Sequence, residues 1–263
     1  MSRTALITGG SSGIGLALSR RLAQRGWRLL WVSLAEAEQA GAAASIRADQ
    51  PNAEIEALAL DLSEPGAADR VFQWAQGQGP RLELLVNNAG IGVYGPSASL
   101  PVEAEQCMIA VNIGALHALA RAFIPAMEAA GGGTIVNIAS NSAFTPAPDL
   151  AVYAATKAFV RHYSEALHEE LAEAKSAVRV MTVCPSAVSD TPFKSRASMD
   201  GVRTFESFTA TTADEVARDI LKGLDVGARS VLTGAAMRRA MLAMKLSPAP
   251  LLRWMTRRET RKL

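Results

Sequence analysis

A short apolar segment, a glycine-rich loop and a helical pattern follow one another at the start of the chain. Residues 5–7 (A-L-I) have the character of a buried strand, residues 8–15 read T-G-G-S-S-G-I-G, and a helical pattern follows as far as Arg25. The glycines of such a loop allow a tight turn, close backbone approach to a pyrophosphate and close helix packing, while the helix N-terminus attracts the anion. A merely flexible loop is the alternative. The predicted phosphate site consists of Gly9, Ser11, Ser12, Gly13, Ile14 and Gly15.

Strand and helix patterns alternate along the chain as far as about residue 234. Further strands are predicted at 27–33, 55–60, 82–86, 134–139, 178–184 and 230–233, and helices at 35–47, 101–130, 153–174 and 214–225. This alternation predicts an α/β fold with a doubly wound parallel sheet of the Rossmann type. A chain of 263 residues can form it as a single domain, 1–236, with a C-terminal helical extension, 237–263.

The ends of the third and fourth strands supply further candidate contacts to a dinucleotide. Asp61 and Leu62 follow the third strand, where Asp61 is placed either to touch adenine or to cap a helix. The sequence N-N-A-G follows the fourth strand, and its small residues and amides suit close passage over a bound cofactor. We therefore add Asn88, Ala89 and Gly90 to the predicted cofactor site.

The second strand ends in Ser33-Leu34, which leaves the choice of cofactor weakly specified. Dinucleotide enzymes often place an acid there to bind the ribose 2′-hydroxyl, or an arginine to accept a 2′-phosphate. Neither residue type is present, and Glu36 and Glu38 are assigned to the solvated face of the next helix. The expected cofactor is NADP or NAD, with Ser33 in contact. NADPH is slightly preferred because nothing visible repels a 2′-phosphate.

An acid–base pair is predicted within residues 140–157. Tyr153 and Lys157 are four residues apart, which puts them on one helix face, one turn apart. A fixed cation lowers the pKa of a neighbouring phenol from its free value of about 10. Ser140 lies at the carboxyl end of the strand at 134–139, where open α/β sheets bind ligands. A chance helical pair is the alternative.

Asn112 lies in the middle of the predicted helix 101–130, between two apolar residues. A mid-helix asparagine is unfavourable because its amide competes with the backbone for hydrogen bonds. This cost points to a functional role, and a locally satisfied polar residue is the alternative.

Together these motifs resemble the short-chain dehydrogenase/reductase family over residues 4–234. The matches are T-G-G-S-S-G-I-G, N-N-A-G, Asn112, Ser140 and Y-A-A-T-K at 153–157, with the family's spacing between Ser140 and Tyr153. Two positions depart from the family pattern. Ser186 stands where glycine usually follows Pro185, and Thr191 comes one residue later than the usual threonine, which puts the contacts to the nicotinamide amide in question.

The resemblance implies an NAD(P)-dependent oxidoreductase that transfers a hydride between nicotinamide and a carbonyl or secondary alcohol. It implies that Tyr153 transfers the proton, that Lys157 lowers the Tyr153 pKa, and that Ser140 stabilises the carbonyl oxygen. Asn112 would position a water that relays protons to Lys157. The cofactor contacts that the resemblance adds are Tyr153, Lys157, Pro185, Val188 and Thr191.

Other classes of function fit the sequence less well. A non-catalytic NAD(P)-binding regulator would keep the glycine-rich loop but need not keep all four polar residues. A sugar-nucleotide epimerase shares Y-x-x-x-K but usually has a larger C-terminal domain. A metal hydrolase is disfavoured and no metal site is predicted, because His117, His162 and His168 lack a convincing ligand spacing.

Composition and charge suggest a cytoplasmic protein that does not bind nucleic acid. The net charge is only +2, and the main domain is not basic. No signal peptide or long apolar run is apparent, which favours a cytoplasmic location. Cys107 and Cys184 are interpreted as reduced core thiols.

The C-terminal tail at 237–263 combines methionines, Trp254 and basic residues. It carries eight Lys or Arg and one Glu, a charge of +7, and Pro248 and Pro250 interrupt its helical pattern. Its apolar face must cover the loop at 189–212, a second subunit or lipid, so peripheral membrane contact is one expectation. Each alternative favours a hydrophobic small-molecule substrate, and apolar residues in that loop support this. The long helices, which pair in the resembled family, predict a homodimer or homotetramer.

Overall fold

The computed structural model describes residues 3–79, 81–245 and 247–262, so residues 1, 2, 80, 246 and 263 of the predicted domain and tail lie outside it. Seven strands form one parallel sheet in the order β3-β2-β1-β4-β5-β6-β7. The predicted doubly wound Rossmann-type sheet is confirmed. The strands are β1 Thr4–Thr8, β2 Arg28–Ser33, β3 Ile55–Ala59, β4 Leu82–Asn87, β5 Gly133–Ile138, β6 Val178–Cys184 and β7 Ser230–Leu232.

Helices cover both faces of the sheet. In chain order they are α1 Gly13–Gln24, α2 Glu36–Asp49, α3 Ala67–Gly77, α4 Val102–Ile109, α5 Leu116–Ala129, α6 Ala151–Glu173, α7 Phe193–Arg196, α8 Ala213–Asp225, α9 Ala235–Lys245 and α10 Ala249–Glu259. The apolar faces of α1, α2 and α8 pack on one side of the sheet, and those of α3, α5 and α6 pack on the other.

The period of two along each strand decides which residues enter which core. In β1, Ala5 and Ile7 face α1, whereas Leu6 faces the layer that contains α5. All three are fully buried because a parallel sheet is covered on both faces. This double burial explains why the strands are almost continuously apolar, and it fixes their carboxyl ends at one edge.

Helix α3 was not predicted from the sequence. It buries Ala68, Val71 and Ala75, whose spacing of three and four residues is the ordinary signal of an amphipathic helix. The ring of Phe72 on the same helix lies edge-on to Phe123 of α5, with centroids 5.1 Å apart. The pattern was therefore present in the sequence.

The predicted continuous helix at 101–130 is interrupted, and that prediction is corrected. A π-helix at Ala110–Ala115 separates α4 from α5 and contains Asn112. A widened turn of this kind frees backbone groups and is common at functional sites. The segment Val102–Ala129 is long and apolar enough to cross a membrane, but it buries Leu119 and Phe123 against the core of this fold.

The loop at 189–212 holds two short helical segments, α7 and a 3₁₀ turn at Arg203–Glu206, and the tail packs against it. The backbone N–H of Arg203 donates to the carbonyl of Arg261 at 3.1 Å. The predicted break at Pro248 and Pro250 is confirmed in part: Pro248 caps α10, and Pro250 lies in its first turn, where proline is tolerated.

Candidate active site

The carboxyl ends of the strands border a cleft of about 790 Å³. The glycine-rich loop forms one end, and Tyr153 lies in the other half. Most of the predicted site residues line the cleft, whereas Gly15 and Asn112 lie behind its surface. The predicted residues that line it are Gly9, Ser11, Ser12, Gly13, Ile14, Ser33, Asp61, Leu62, Asn88, Ala89, Gly90, Ser140, Tyr153, Lys157, Pro185, Val188 and Thr191.

The glycine-rich loop has the shape of a phosphate cradle. Gly9 and Gly13 have positive φ angles of 67° and 51°, which other residues rarely adopt. A Cβ on Gly15 would lie 2.1 Å from the carbonyl oxygen of Gly9, so this position packs the helix rather than touching a ligand. No side chain caps the start of α1, so its first N–H groups remain to bind an anion. These residues fit a dinucleotide pyrophosphate.

Asn88 holds the glycine-rich loop in place from β4. Its Nδ2 donates to the carbonyls of Thr8 and Gly9 at 2.9 and 3.1 Å. The hydroxyl of Thr8 accepts in turn from the N–H groups of Asn88 and Ala89, both at 3.0 Å. The amide of Asn88 therefore positions the loop, and Ala89 and Gly90 form the cleft wall.

The adenosine end of the cleft contains two carboxylates. Asp61 accepts from the N–H and hydroxyl of Ser63 at 2.8 and 2.7 Å, which holds its pKa below the ordinary value. It caps a local turn rather than a helix, since α3 begins later at Ala67. The assignment of Glu38 to a solvated face is wrong: its carboxylate lines the cleft and accepts from the Ser11 hydroxyl at 2.8 Å. Glu36 is exposed as expected.

The predicted catalytic residues meet where β5 approaches α6. Tyr153 and Lys157 lie one turn apart on α6, and Ser140 follows the end of β5. The Lys157 Nζ donates to the carbonyl of Ile138 at 2.9 Å and lies 5.9 Å from the centroid of the Tyr153 ring. The predicted grouping of the three side chains around one point is therefore present.

The lowered pKa predicted for Tyr153 is not found in this structure, and the role of Lys157 toward it stays a prediction. Burial raises the pKa of Tyr153 to about 12, and a hydrogen bond with Ser140 opposes this only in part. Burial also lowers the pKa of Lys157 to about 8. Burial is the largest cause of both shifts, and the Lys157 ammonium is directed at the Ile138 carbonyl rather than at the phenol. The phenol of Tyr153 is therefore protonated at neutral pH.

The side chain of Asn112 is occupied by neighbours. Its Oδ1 accepts from the Ile91 N–H at 2.9 Å, and its Nδ2 donates to the Ile91 carbonyl and the Thr156 hydroxyl at 3.0 and 3.1 Å. A Cβ on Gly90 would lie 3.2 Å from Lys157 Nζ and 3.3 Å from Asn112 Oδ1. Both amide protons are in use, so Asn112 fixes the wall between β4 and α6. Its role in positioning a water stays a prediction.

The two departures from the family pattern are accommodated locally. The buried Ser186 shares a 3.0 Å hydrogen bond with the hydroxyl of Thr211, which satisfies the added side chain. The side chain of Thr191 lies opposite Gly13, where a Cβ would approach it to 3.3 Å. Thr191 therefore packs against the phosphate cradle, and its hydroxyl donates to the carbonyl of Val188 at 3.3 Å.

The substrate half of the cleft is apolar and is built from distant segments. Phe193 lies against Tyr153, with ring centroids 5.5 Å apart. Tyr94 joins the same cluster, and Phe208 is 83% exposed. The buried members of the cluster are Ala147, Leu150, Ala154, Ala197, Met199, Val202 and Phe205.

The tail forms part of the same wall. Met237 and Met241 of α9 are buried, and Met255, Glu259 and Thr260 also line the cleft. The hydroxyl of Tyr94 donates to the carbonyl of Thr260 at 2.8 Å. The tail was expected to cover the loop at 189–212, a second subunit or lipid. Its inner face covers the loop at 189–212 of the same chain.

The tail also has an outer face that remains exposed. Leu242 and Trp254 are 65% and 58% exposed, and Leu251 is also exposed. Arg258 lies over the indole of Trp254, 5.7 Å from its centroid.

Three lining residues, Glu38, Arg196 and Thr260, were missed from the sequence, and so was Tyr94, which lies outside the lining and donates to the Thr260 carbonyl. Glu38 is separated from Ser11 by 27 residues, and Arg196 from Glu38 by 158. Spacing patterns report only local neighbours, so no signal identified these contacts. The expectation that Cys107 is a core thiol is also corrected: it is half-buried and lines the cleft, whereas Cys184 is buried.

Comparison with known proteins gives one consistent family. Residues 3–200 match the family model described as short chain dehydrogenase. The 1-deoxy-11-beta-hydroxypentalenate dehydrogenase of Streptomyces avermitilis is 34% identical over 243 residues, 88% of this chain and 84% of that protein.

Two solved structures are also similar over most of their length. The Sphingobium yanoikuyae short-chain dehydrogenase in complex with NADPH has a TM-score of 0.79 and 31% identity, covering 93% of this chain and 94% of that one. The bulky-bulky ketone specific alcohol dehydrogenase from Comamonas testosteroni has a TM-score of 0.76 and 28% identity, covering 92% and 91%.

Proposed function

The chain belongs to the short-chain dehydrogenase/reductase family and is an NAD(P)-dependent oxidoreductase; we propose that it acts on a bulky, apolar ketone or secondary alcohol. The observation that carries the substrate class is the apolar wall that the loop and tail build around Tyr153. The similar alcohol dehydrogenase from Comamonas testosteroni, described as specific for bulky-bulky ketones, supports it.

The residues of this chain supply the proton and hold the reacting oxygen. A bound nicotinamide supplies or accepts the hydride. With its pKa raised to about 12, Tyr153 is protonated at neutral pH and gives its proton to the carbonyl oxygen during reduction. Ser140, beside it, donates a hydrogen bond to the same oxygen as negative charge develops. In alcohol oxidation Tyr153 must first lose its proton, which burial makes costly.

Lys157 is suited to supply positive charge near the Tyr153 phenol and the nicotinamide ribose. Burial lowers its pKa to about 8, so the ammonium form predominates at pH 7 while its proton is held less tightly than usual. Its Nζ lies at the wall that Gly90 and Asn112 share. We infer that it holds the nicotinamide ribose and stabilises the Tyr153 phenolate once the cofactor is bound.

The substrate class is tested with pairs of ketones that differ only in the groups on either side of the carbonyl. Each pair contains one ketone with apolar groups on both sides and one short, polar ketone, assayed with NADH and NADPH by the absorbance of the reduced nicotinamide. Burying two extra methylenes stabilises by about 1.6 kcal/mol, so kcat/KM should rise roughly tenfold for the bulky member. Preference for the short polar member would overturn the proposal.

The competing function, a non-catalytic NAD(P)-binding regulator, is disfavoured. Ser140, Tyr153 and Lys157 are grouped at the cleft with Asn112 immediately behind. The relatives are named as dehydrogenases and reductases. A regulator would not need this arrangement.

We propose a homodimer or homotetramer assembled through α4 and α6, in the cytoplasm. Val102, Ile109 and Phe159 expose apolar surface on these helices, which a second copy would cover. Light scattering of the purified protein at micromolar concentration tests this: a dimer or tetramer is expected, and a monomer would refute it.

Peripheral membrane contact through the outer face of the tail is a further part of the proposal. Leu242, Leu251 and Trp254 are exposed beside arginines, a combination that binds anionic lipid surfaces. The test is flotation with anionic and neutral vesicles, comparing the wild type with Trp254→Ser. Flotation with anionic vesicles alone is expected, and no flotation would contradict it.

A further inference from the structure

An ion pair crosses the cleft between its two walls. Glu38 lies in the first turn of α2, and Arg196 ends α7 in the loop at 189–212. One carboxylate oxygen of Glu38 accepts from the Ser11 hydroxyl, and the other accepts from the guanidinium of Arg196. The side chain of Glu38 is 32% exposed and that of Arg196 is 60% exposed. Both line the cleft.

Glu38 lies where a ribose would be recognised. In this type of fold an acid at the end of the second strand commonly binds the ribose 2′-hydroxyl. Here that strand ends in Ser33 and Leu34, which line the cleft without carrying a charge. Glu38 reaches the same rim from the following helix, because its bond to Ser11 holds it against the glycine-rich loop.

The carboxylate of Glu38 is held in its charged form. Burial alone would raise its pKa, but the hydrogen bonds from Ser11 and Arg196, together with the charge of Arg196, outweigh burial and lower the pKa. The group therefore presents a negative charge at neutral pH. A 2′-phosphate would bring up to two further negative charges to this rim.

Arg196 belongs to a segment that spans the cleft. Thr191 lies opposite Gly13, and a Cβ on Gly92 would lie 2.7 Å from the Phe193 ring. Helix α7 begins at Phe193, beside Tyr153, and ends at Arg196, which is bonded to Glu38. It therefore connects the catalytic half of the cleft to the ribose half. The bond between Arg196 and Glu38 therefore ties this segment to the rim of the cleft that carries the glycine-rich loop.

We propose that Glu38 sets the preference of the enzyme for NAD(H) over NADP(H), and that Arg196 fastens the loop at 189–212 onto it. In this assignment the carboxylate accepts from ribose hydroxyls and repels a 2′-phosphate. It is the opposite of the preference that the sequence suggests. One similar structure contains NADPH and another of the same fold contains NAD, so this fold accommodates both cofactors.

The test is a fluorescence titration of the ligand-free enzyme with NADH and with NADPH, which requires no substrate. Glu38→Gln is compared with Glu36→Gln, a matched control that removes the same charge from an exposed site on the same helix. Because the Glu38 carboxylate would repel a 2′-phosphate, wild type should bind NADH about tenfold more tightly than NADPH. Glu38→Gln should tighten NADPH binding roughly tenfold and leave NADH within about threefold, while Glu36→Gln changes neither.

Arg196→Gln separates the fastening role from direct phosphate recognition. Release of both reduced cofactors, measured by stopped-flow displacement, should become several-fold faster, while the ratio of their affinities stays in favour of NADH. Selective loss of NADPH affinity in Arg196→Gln would show that the guanidinium clamps a 2′-phosphate, which overturns the proposal.

Two further outcomes would also overturn it: equal effects of Glu38→Gln and Glu36→Gln, or a wild type that prefers NADPH tenfold. Ser11→Ala removes the donor that orients Glu38 and provides a second variant. It should also weaken the preference for NADH over NADPH. Because the readout is cofactor binding, failure here is distinguishable from an error in the substrate class.

Discussion

The two halves of the cleft are built on different principles. The cofactor half consists of strand ends and a glycine-rich loop, where backbone geometry and the absence of Cβ atoms create the space. The substrate half consists of apolar side chains from a loop and tail that are distant in sequence. In the first half a Cβ added at Gly9 or Gly15 would approach a neighbouring atom to 2.9 or 2.1 Å, so the backbone itself sets the space.

The largest expected effect is at the point where the halves meet. Tyr153→Phe removes the proton donor and should lower turnover at least about a hundredfold on a confirmed substrate, while cofactor affinity stays nearly unchanged. Steady-state kinetics and fluorescence titration measure the two quantities. Tyr163→Phe is the matched control, since that hydroxyl is on the same helix and outside the cleft lining. Near-normal turnover of Tyr153→Phe would remove Tyr153 from the mechanism.

The rigidity of the cofactor half is tested by adding one methyl group. In Gly15→Ala the new Cβ would meet the Gly9 carbonyl at 2.1 Å, so the loop must shift. Cofactor affinity should fall by about tenfold to a hundredfold, the equivalent of an overpacking cost of 1–3 kcal/mol. Gly41→Ala, in a helix with nothing nearby, should bind cofactor normally and gain up to about 1 kcal/mol of stability. Equal cofactor affinity in both variants would contradict the cradle.

The lowered pKa of Lys157 predicts a pH dependence of stability. Between about pH 8 and pH 10.5 the unfolded chain holds a proton on this lysine that the folded protein has released. The contribution of Lys157 to the free energy of unfolding therefore rises with pH in this range. The full change is at most about 3 kcal/mol. The stability of wild type relative to Lys157→Met should therefore increase across this window in urea unfolding. A difference that is flat with pH would show an ordinary lysine pKa.

The smallest effect is expected in the substrate half. Tyr94→Phe removes the hydrogen bond to the Thr260 carbonyl but keeps the ring in its apolar cluster. Losing about 1 kcal/mol of anchoring for the tail should raise KM for a bulky ketone a few-fold, with cofactor affinity unchanged. An equal loss of cofactor affinity would show that the two halves are not separable.

The sequence alone determined the sheet, the phosphate cradle and the catalytic group. These follow from local rules: period two in strands, glycine where Cβ is excluded, and one helical turn between Tyr153 and Lys157. The sequence identified Asn112 because asparagine is unfavourable in the middle of a helix. It did not predict the π-helix that contains this residue. Helix α3 could have been found in the same way, from the spacing of Val71 and Ala75.

Only the tertiary structure decided what each local feature faces. Glu38 has the pattern of a solvated helix residue, and it enters the cleft because Ser11 and Arg196 bond to it. The end of the tail is held at the cleft because the Tyr94 hydroxyl donates to the Thr260 carbonyl, 166 residues away. The pKa of Tyr153 rises because burial outweighs its neighbours. Contact across long sequence separations and the removal of water both depend on the complete packing of the chain, which no local pattern encodes.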